Sequence, residues 1–259
     1  MCRWIAYKGQ PVFLEHYITT AEHSLIHQSL HAEQGKTETN GDGFGIGWYG
    51  SRPEPGIYRE ILPAWNDGNL KSLASQIQSR LFFAHVRAST GTETSRANCH
   101  PFALDQWMFM HNGQVGGYGA LRRLLESMLD DDHYAHRTGT TDSELLFLLA
   151  MQEDLRSCPK KALAKVLRRV VNGMAEKGIS TPLRFTSCLS DGERLIGFRC
   201  SSDHQAPSLF YRRYDNGDVI LVSEPIDRQL ECWQEVPQDH VVCFTGGKMV
   251  MSEMAIQVQ

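Results

Sequence analysis

The hydrophobic period of this chain changes twice, and that change limits its folds more than any other feature. Short apolar runs bounded by Gly, Asn, Asp and Thr come first, and Ile46–Tyr49, Arg80–Val86 and Trp107–His111 read as strands. The period then lengthens. Leu121, Leu124, Leu125 and Leu129 form the stripe of an amphipathic helix over Ala120–Leu129. A second helix starts at Asp142, capped by Thr141 or Asp142, with its body at Leu145–Leu155. A third runs from Pro159, a favoured first-turn residue, to a stop at Gly178. Its Leu163, Val166, Leu167, Val170, Val171 and Met174 face inward, while Lys160, Lys161, Lys165, Arg168 and Arg169 face water. After Pro182 the period returns to two, with strands at Arg184–Leu189, Arg194–Cys200, Leu209–Arg213, Val219–Val222 and Val241–Phe244. Asp191-Gly192 and Asn216-Gly217 are two-residue turns of the kind that close antiparallel hairpins. Strands, helices and strands again predict an α+β chain with antiparallel sheets and segregated helices, not a doubly wound βαβ fold. The glycine run Gly41-Asp-Gly-Phe-Gly-Ile-Gly47 agrees. It holds no G-x-G-x-x-G register and leads into a strand-like segment, so it is no dinucleotide fingerprint.

Charge and composition remove whole classes of function. The chain has 259 residues with 26 Lys+Arg against 30 Asp+Glu, a net charge of −4, which leaves no basic surplus for gripping phosphates. Nucleic-acid binding is therefore not expected. The longest apolar stretches, such as Leu145–Met151, are too short to span a bilayer, and Lys8, Glu15 and several His interrupt any secretory signal. The expectation is a soluble cytoplasmic protein without membrane contact. No repeat or long linker divides the sequence, so residues 1–259 are expected to form one domain. The seven cysteines, at 2, 99, 158, 188, 200, 232 and 243, are odd in number, widely spaced and free of any Cys-x-x-Cys. That pattern argues against a disulfide framework or a Cys-based zinc site. Cys188, Cys200 and Cys243 sit in apolar alternation and read as small buried hydrophobes.

Cys2 is different because it follows Met1 directly. Methionine is generally trimmed before a small side chain. Trimming leaves one residue with both a thiol and a free α-amine, and an α-amine titrates near ~8, well below a Lys. Such an amine can act as general base for its own side chain. Read alone, Cys2 is equally compatible with an exposed or weakly packed position.

Four separated segments change that balance. Met1-Cys2, Ala84-His-Val-Arg-Ala-Ser-Thr90, Met110-His-Asn-Gly113 and Thr141-Asp-Ser-Glu144 occur in order, with Asn98-Cys-His-Pro101 among them. Together they resemble the class II glutamine amidotransferase domain, a family of N-terminal-nucleophile enzymes. The start Met-Cys-Arg-Trp-Ile-Ala-Tyr, then His23-Ser-Leu-Ile, Gln28-Ser29 and Asn40-Gly-Asp-Gly-Phe-Gly-Ile-Gly-Trp-Tyr49, resemble its YafJ-type branch. That branch includes a γ-glutamyl hydrolase and a glutathione-degrading amidotransferase-like subunit. The resemblance covers essentially the whole chain, with the C-terminal third the least distinctive. It implies an αββα sandwich of two antiparallel sheets between helical layers.

The resemblance also implies roles. Cys2 is the nucleophile, and Asn112, through its side-chain amide, and Gly113, through its backbone N–H, form the oxyanion hole. Arg87 takes the α-carboxylate of a γ-glutamyl substrate, since a planar two-pronged donor suits a carboxylate better than Lys does. Asp142 opposes the α-ammonium, Thr90 joins the substrate pocket, and His100 shapes its wall rather than exchanging protons. Ordinary alternatives stand beside these: an ion pair for Arg87, a helix cap for Asp142, a plain turn for Asn112-Gly113. Gly113 is expected to lack a side chain because substrate approaches there. Where many family members carry Arg-Gly, this chain has Asn40-Gly41. No cofactor or metal is expected. A synthase or peptidase is the kind of partner protein the resemblance suggests, and a non-catalytic amino-acid-binding module is the alternative outside enzymology.

Two acidic and imidazole clusters compete for attention. His23, His27 and His31 are four apart and would share one helix face, a zinc-like arrangement, although no His-Glu-x-x-His accompanies them. They are expected at the surface or the substrate mouth. Asp130-Asp131-Asp132 reads as a solvated loop after its helix.

Overall fold

The computed structural model describes residues 2–30, 39–88, 93–254 and 256. Its first strand, β1 (Arg3–Phe13), begins one residue after Cys2. Trp4, Ile5, Ala6 and Tyr7 are all fully buried, so β1 is apolar on both faces and shows no period-two alternation. Sequence periodicity passes over it for that reason. Two short helices follow, α1 (Glu15–Ile18) and α2 (Leu25–Leu30), then β2 (Phe44–Trp48), β3 (Gly56–Glu60), α3 (Gly68–Gln76) and β4 (Gln78–Val86). β5 (Phe102–Leu104) and β6 (Trp107–Gln114) lead into α4 (Tyr118–Glu126), α5 (Asp131–Tyr134), α6 (Asp142–Gln152) and α7 (Pro159–Glu176). The rest is β7 (Arg184–Ser190), β8 (Leu195–Ser201), β9 (Phe210–Arg213), β10 (Val219–Val222), β11 (Gln234–Glu235), β12 (His240–Thr245) and β13 (Lys248–Glu253).

Among the described residues these strands make two sheets, ordered β11-β9-β10-β1-β4-β2-β3 and β13-β12-β8-β7-β6-β5. Every pairing is antiparallel. The first sheet turns Ile5, Tyr7, Phe82 and Ala84 toward α1, α2 and α3. The second turns Phe109, Phe185 and Phe198 toward α4, α6 and α7. Between the sheets lie Trp4, Ala6 and Phe83 on one side and Met108, Met110 and Val242 on the other. The layers are helix, sheet, sheet, helix, as the resemblance implies.

The stacking distance is held down by missing side chains. A Cβ on Gly45 of β2 would lie 2.2 Å from the carbonyl oxygen of His100. The glycine run is thus a contact surface for the other sheet's leading segment, not a phosphate cradle. Both expected hairpin turns form: Gly192 and Gly217 adopt φ of 90° and 88° between paired strands. The α7 stripe Leu163, Val166, Leu167, Val170 and Met174 is buried, and Gly178 follows in the left-handed region with φ 65°. Lys165 and Arg169 on its outer face both pair with Glu153.

Some expectations change. The Asp130 run is not a loop: the Asp130 carboxylate caps α5 by accepting from His133 N–H, and Asp131 and Asp132 fill its first turn. Cys188 and Cys200 are buried, but Cys243 is only partly so. No helix among the described residues is long and apolar enough to cross a membrane.

Candidate active site

The register of β1 against β4 places the nucleophile. Arg3 pairs with Val86, so Cys2 falls alongside Arg87 and Ala88. The Ala88 N–H donates to Cys2 Sγ at 3.3 Å, and the thiol reaches the Ala88 carbonyl at 3.6 Å. Burial pushes the Cys2 thiol up, and the Ala88 N–H, Arg87 and Arg3 pull it only partly back. Such a thiol is protonated at neutral pH and needs a base to become a nucleophile. Arg3, the next residue, pairs with Glu224 at 2.5 Å, both buried, and donates through Nη1 to the Cys2 carbonyl at 3.1 Å.

The second sheet supplies the opposing wall. Met108 and Met110 of β6 face the inter-sheet layer, so period two turns Asn112 the same way. Asn112 Nδ2 donates to the Cys2 carbonyl at 2.8 Å, joining the two sheets at the nucleophile. Gly113 adopts φ 144°, and a Cβ there would lie 1.9 Å from the Arg184 carbonyl oxygen and 2.7 Å from His111 Nε2. The packing against β7 by itself therefore requires its missing side chain.

The start of α6 forms the third wall. Thr141 is the cap, accepting from Glu144 N–H at 3.2 Å, which leaves Asp142 for other work. Asp142 Oδ2 accepts from Val115 N–H at 2.8 Å and Oδ1 from the Ser143 hydroxyl at 3.3 Å. A carboxylate has about four acceptor positions, so capacity remains for a cation. Glu144 is structural: it accepts from Thr138 N–H, the Thr138 hydroxyl and Gly139 N–H at 2.9, 2.9 and 2.8 Å, fixing the loop before α6. Asn98 ties that loop to another, accepting from Thr140 N–H at 2.8 Å and donating to the Glu93 carbonyl at 2.9 Å.

These walls enclose a cleft of about 540 Å³ lined by Cys2, Arg87, His100, Asn112, Gly113 and Asp142. Of the expected site residues, only Thr90 lies outside the described residues. Arg87 is buried, donating from Nη1 to the Asp42 carbonyl at 3.3 Å and from Nη2 to the Glu93 carbonyl at 3.2 Å. Lining residues that sequence reasoning left without a role include His111, Tyr118, Arg122, Thr140 and Ser143. His111 stood inside a matched motif, which is the one signal that marked it.

Three imidazoles gather beneath the cleft. The ring centroids of His85 and His100 lie 4.3 Å apart, and His111 Nδ1 meets the Ser143 hydroxyl at 2.9 Å. Burial holds the His85 ring down at about 3, with the positive charge of Arg87 adding to it. His100 is held well below the ordinary histidine range by burial and then by its imidazole neighbours. His111 is lowered by burial against the opposing pull of Asp142. Neutral rings suit a wall role for His100. The competing imidazole triplet does not assemble on one helix: His23 precedes α2, His27 lies within it with its ring 5.5 Å from His23, and His31 is outside the described residues. No group of His, Cys, Asp and Glu among the described residues is arranged to hold a metal ion.

Residues 17–215 match the family described as glutamine amidotransferases class-II. The chain is 32% identical to the probable glutamine amidotransferase DUG3 of Saccharomyces cerevisiae, over 93% of this chain and 81% of that protein. It is 27% identical to the gamma-glutamyl-hercynylcysteine sulfoxide hydrolase of Mycolicibacterium smegmatis, over 98% of this chain and 100% of that one. Among solved structures, a glutamine aminotransferase class-II domain protein from Silicibacter pomeroyi superposes with a TM-score of 0.78 at 38% identity, covering 98% of this chain and 100% of that one. The glutamine phosphoribosylpyrophosphate amidotransferase of B. subtilis shares the fold at 13% identity, with a TM-score of 0.68 over 99% of this chain and 50% of that one.

Proposed function

The chain is a member of the class II glutamine amidotransferase family and an enzyme of that type, and on that premise we propose that it hydrolyses a γ-glutamyl amide bond through a γ-glutamyl thioester on Cys2. The observation that carries this reading is the meeting, in one cleft, of a thiol, a buried guanidinium, a side-chain amide and a carboxylate drawn from both sheets and α6. The whole chain acts as one such domain.

In this reading Arg87 takes the substrate α-carboxylate and Asp142 its α-ammonium, which sets the γ-carbonyl over Cys2. Removal of Met1 frees the Cys2 α-amine. That amine accepts the thiol proton, as a thiol held up by burial requires. Sulfur attacks the γ-carbonyl, and the oxyanion takes the second N–H of Asn112 Nδ2 together with the Gly113 N–H. Collapse breaks the C–N bond, and the Cys2 ammonium protonates the leaving nitrogen. Water, deprotonated by the same amine, then attacks the thioester to release glutamate and restore the thiol. Water is the final acceptor, as in the M. smegmatis relative named as a hydrolase.

Purified protein incubated alone with a panel of γ-glutamyl amides, glutamine and γ-glutamyl peptides among them, is expected to release glutamate, with a peptide-like substrate turned over well above glutamine. Negligible release from every compound, restored only by cell extract, would replace the hydrolase with an amidotransferase subunit that serves a partner.

A further inference from the structure

The layer just below the nucleophile holds buried polar atoms that the proposed mechanism does not use. Among the described residues, Asn112 Oδ1 has no hydrogen-bond partner within 3.5 Å, and neither has either ring nitrogen of His85. Strand parity brings these groups to the same place. His85 pairs with Trp4 and lies two residues from Phe83, both of which face the inter-sheet layer, so His85 faces it as well. Asn112 faces the same layer from β6, as Met110 does. The two residues flank the site at one end of the sandwich, with Arg87 two positions beyond His85 on the same face.

Amide orientation follows from what surrounds it. The Cys2 carbonyl can only accept, so the atom 2.8 Å from it is Nδ2, and Oδ1 turns away into the layer. A buried carbonyl oxygen there calls for a donor. The His85 ring is close enough for the Asn112 side chain to bear on its titration, and burial keeps the ring neutral, with one N–H and one lone pair. His100, with its ring centroid 4.3 Å from that of His85 and tilted 34° to it, and with Phe102 edge-on to His100 at 4.7 Å, packs against the His85 ring.

We propose that His85 is a positioning residue for the oxyanion donor: its ring N–H serves Asn112 Oδ1 and thereby keeps Nδ2 aimed at Cys2 and the developing oxyanion. The proposal rests on the assignment of Asn112 as that donor. With that bond made the amide has two anchors, and without His85 it keeps only the Cys2 carbonyl and spends part of its time turned away from the reacting carbonyl.

A double-mutant cycle tests this on the full chain. Asn112→Ala is expected to lower kcat about a hundredfold or more. His85→Leu is expected to lower kcat roughly tenfold with KM within about twofold, the value of one neutral hydrogen bond. The combined variant is expected to be no slower than Asn112→Ala alone. His85→Asn carries an N–H near the position of Nδ1 and His85→Gln near that of Nε2, so one of them should restore most of the rate. Trp4 Nε1 is another buried donor in this layer without a partner among the described residues. Trp4→Phe should therefore multiply with Asn112→Ala, and coupling there instead would overturn the role of His85. Losses for His85→Leu and Asn112→Ala that multiply, or failure of both amide variants to restore rate, would do the same. Unaltered kcat in Asn112→Ala would instead remove the oxyanion assignment itself. A measurement that needs no active variant is proton NMR of the unsubstituted protein: an exchange-protected His85 ring N–H is expected, and its absence would overturn the proposal.

Discussion

Lowering the pH should destabilise this protein through the rings beneath its cleft before its carboxylates titrate. An unfolded histidine binds a proton near pH ~6.5. His85 resists protonation in the fold until about 3, and His100 is held well below the ordinary value too. Between those values the unfolded chain binds protons that the folded chain refuses, so stability is full above about 6.5 and falls as pH drops below it. At pH ~5 the His85 ring removes about 2 kcal/mol from a stability that for domains is typically ~5–15 kcal/mol, and His100 adds to the loss in the same direction. His111 shifts the same way, with Asp142 working against it. Unfolded carboxylates titrate near ~4, so the interval from about 5 to 6.5 isolates the imidazoles. Urea unfolding at steps across that interval should show a steepening loss equivalent to uptake of at least one proton near its lower end. His85→Asn should remove about one proton from that uptake. Equal stability at both ends of the interval, within about 1 kcal/mol, would mean the rings are not buried and neutral, and the reasoning would fail.

Other outcomes can be checked directly. Intact-mass measurement should find a chain beginning at Cys2, and full activity in a chain retaining Met1 would exclude the α-amine as base. Cys2→Ala should abolish turnover while calorimetry still detects glutamate, because the proposed holding groups are Arg87 and Asp142. Arg87→Ala should raise KM strongly with a smaller change in kcat, since its bonds form in ground and transition states alike, and steady-state kinetics would expose an error if KM stayed put. Glu224→Gln should cost about 3 kcal/mol in denaturant unfolding, because it strands the buried Arg3 guanidinium.

Local physics made part of this molecule legible in its sequence. The helices α4, α6 and α7 announce themselves through a stripe, a threonine cap and a glycine stop, all of which depend on near neighbours. The hairpins at Gly192 and Gly217 do so through turn chemistry. Other elements leave no such trace. β1 is buried on both faces, and the edge strands β3 and β13 are only half-buried, so neither pattern alternates cleanly. The candidate site residues were legible through family motifs, yet motifs are silent on cause. Gly113 is glycine because of Arg184, seventy-odd residues later, a contact that only the folded sheet creates. His85 and His111 carry no local signal because a buried neutral ring and an exposed one look the same in sequence.

The position of β1 has a consequence in time. It lies inside the first sheet with β4 on one side and β10 on the other, where Ile5 meets Val222. During synthesis β1 must wait for more than two hundred further residues before its second neighbour exists. Such a long-separation contact is slow to close and forms late. The amide that braces the Cys2 carbonyl also belongs to the other sheet. A half-folded chain therefore carries a thiol with no assembled pocket around it, and the cleft exists only once both sheets are in place. The site is in this sense a late product of folding, completed only when strands far apart in the sequence have met.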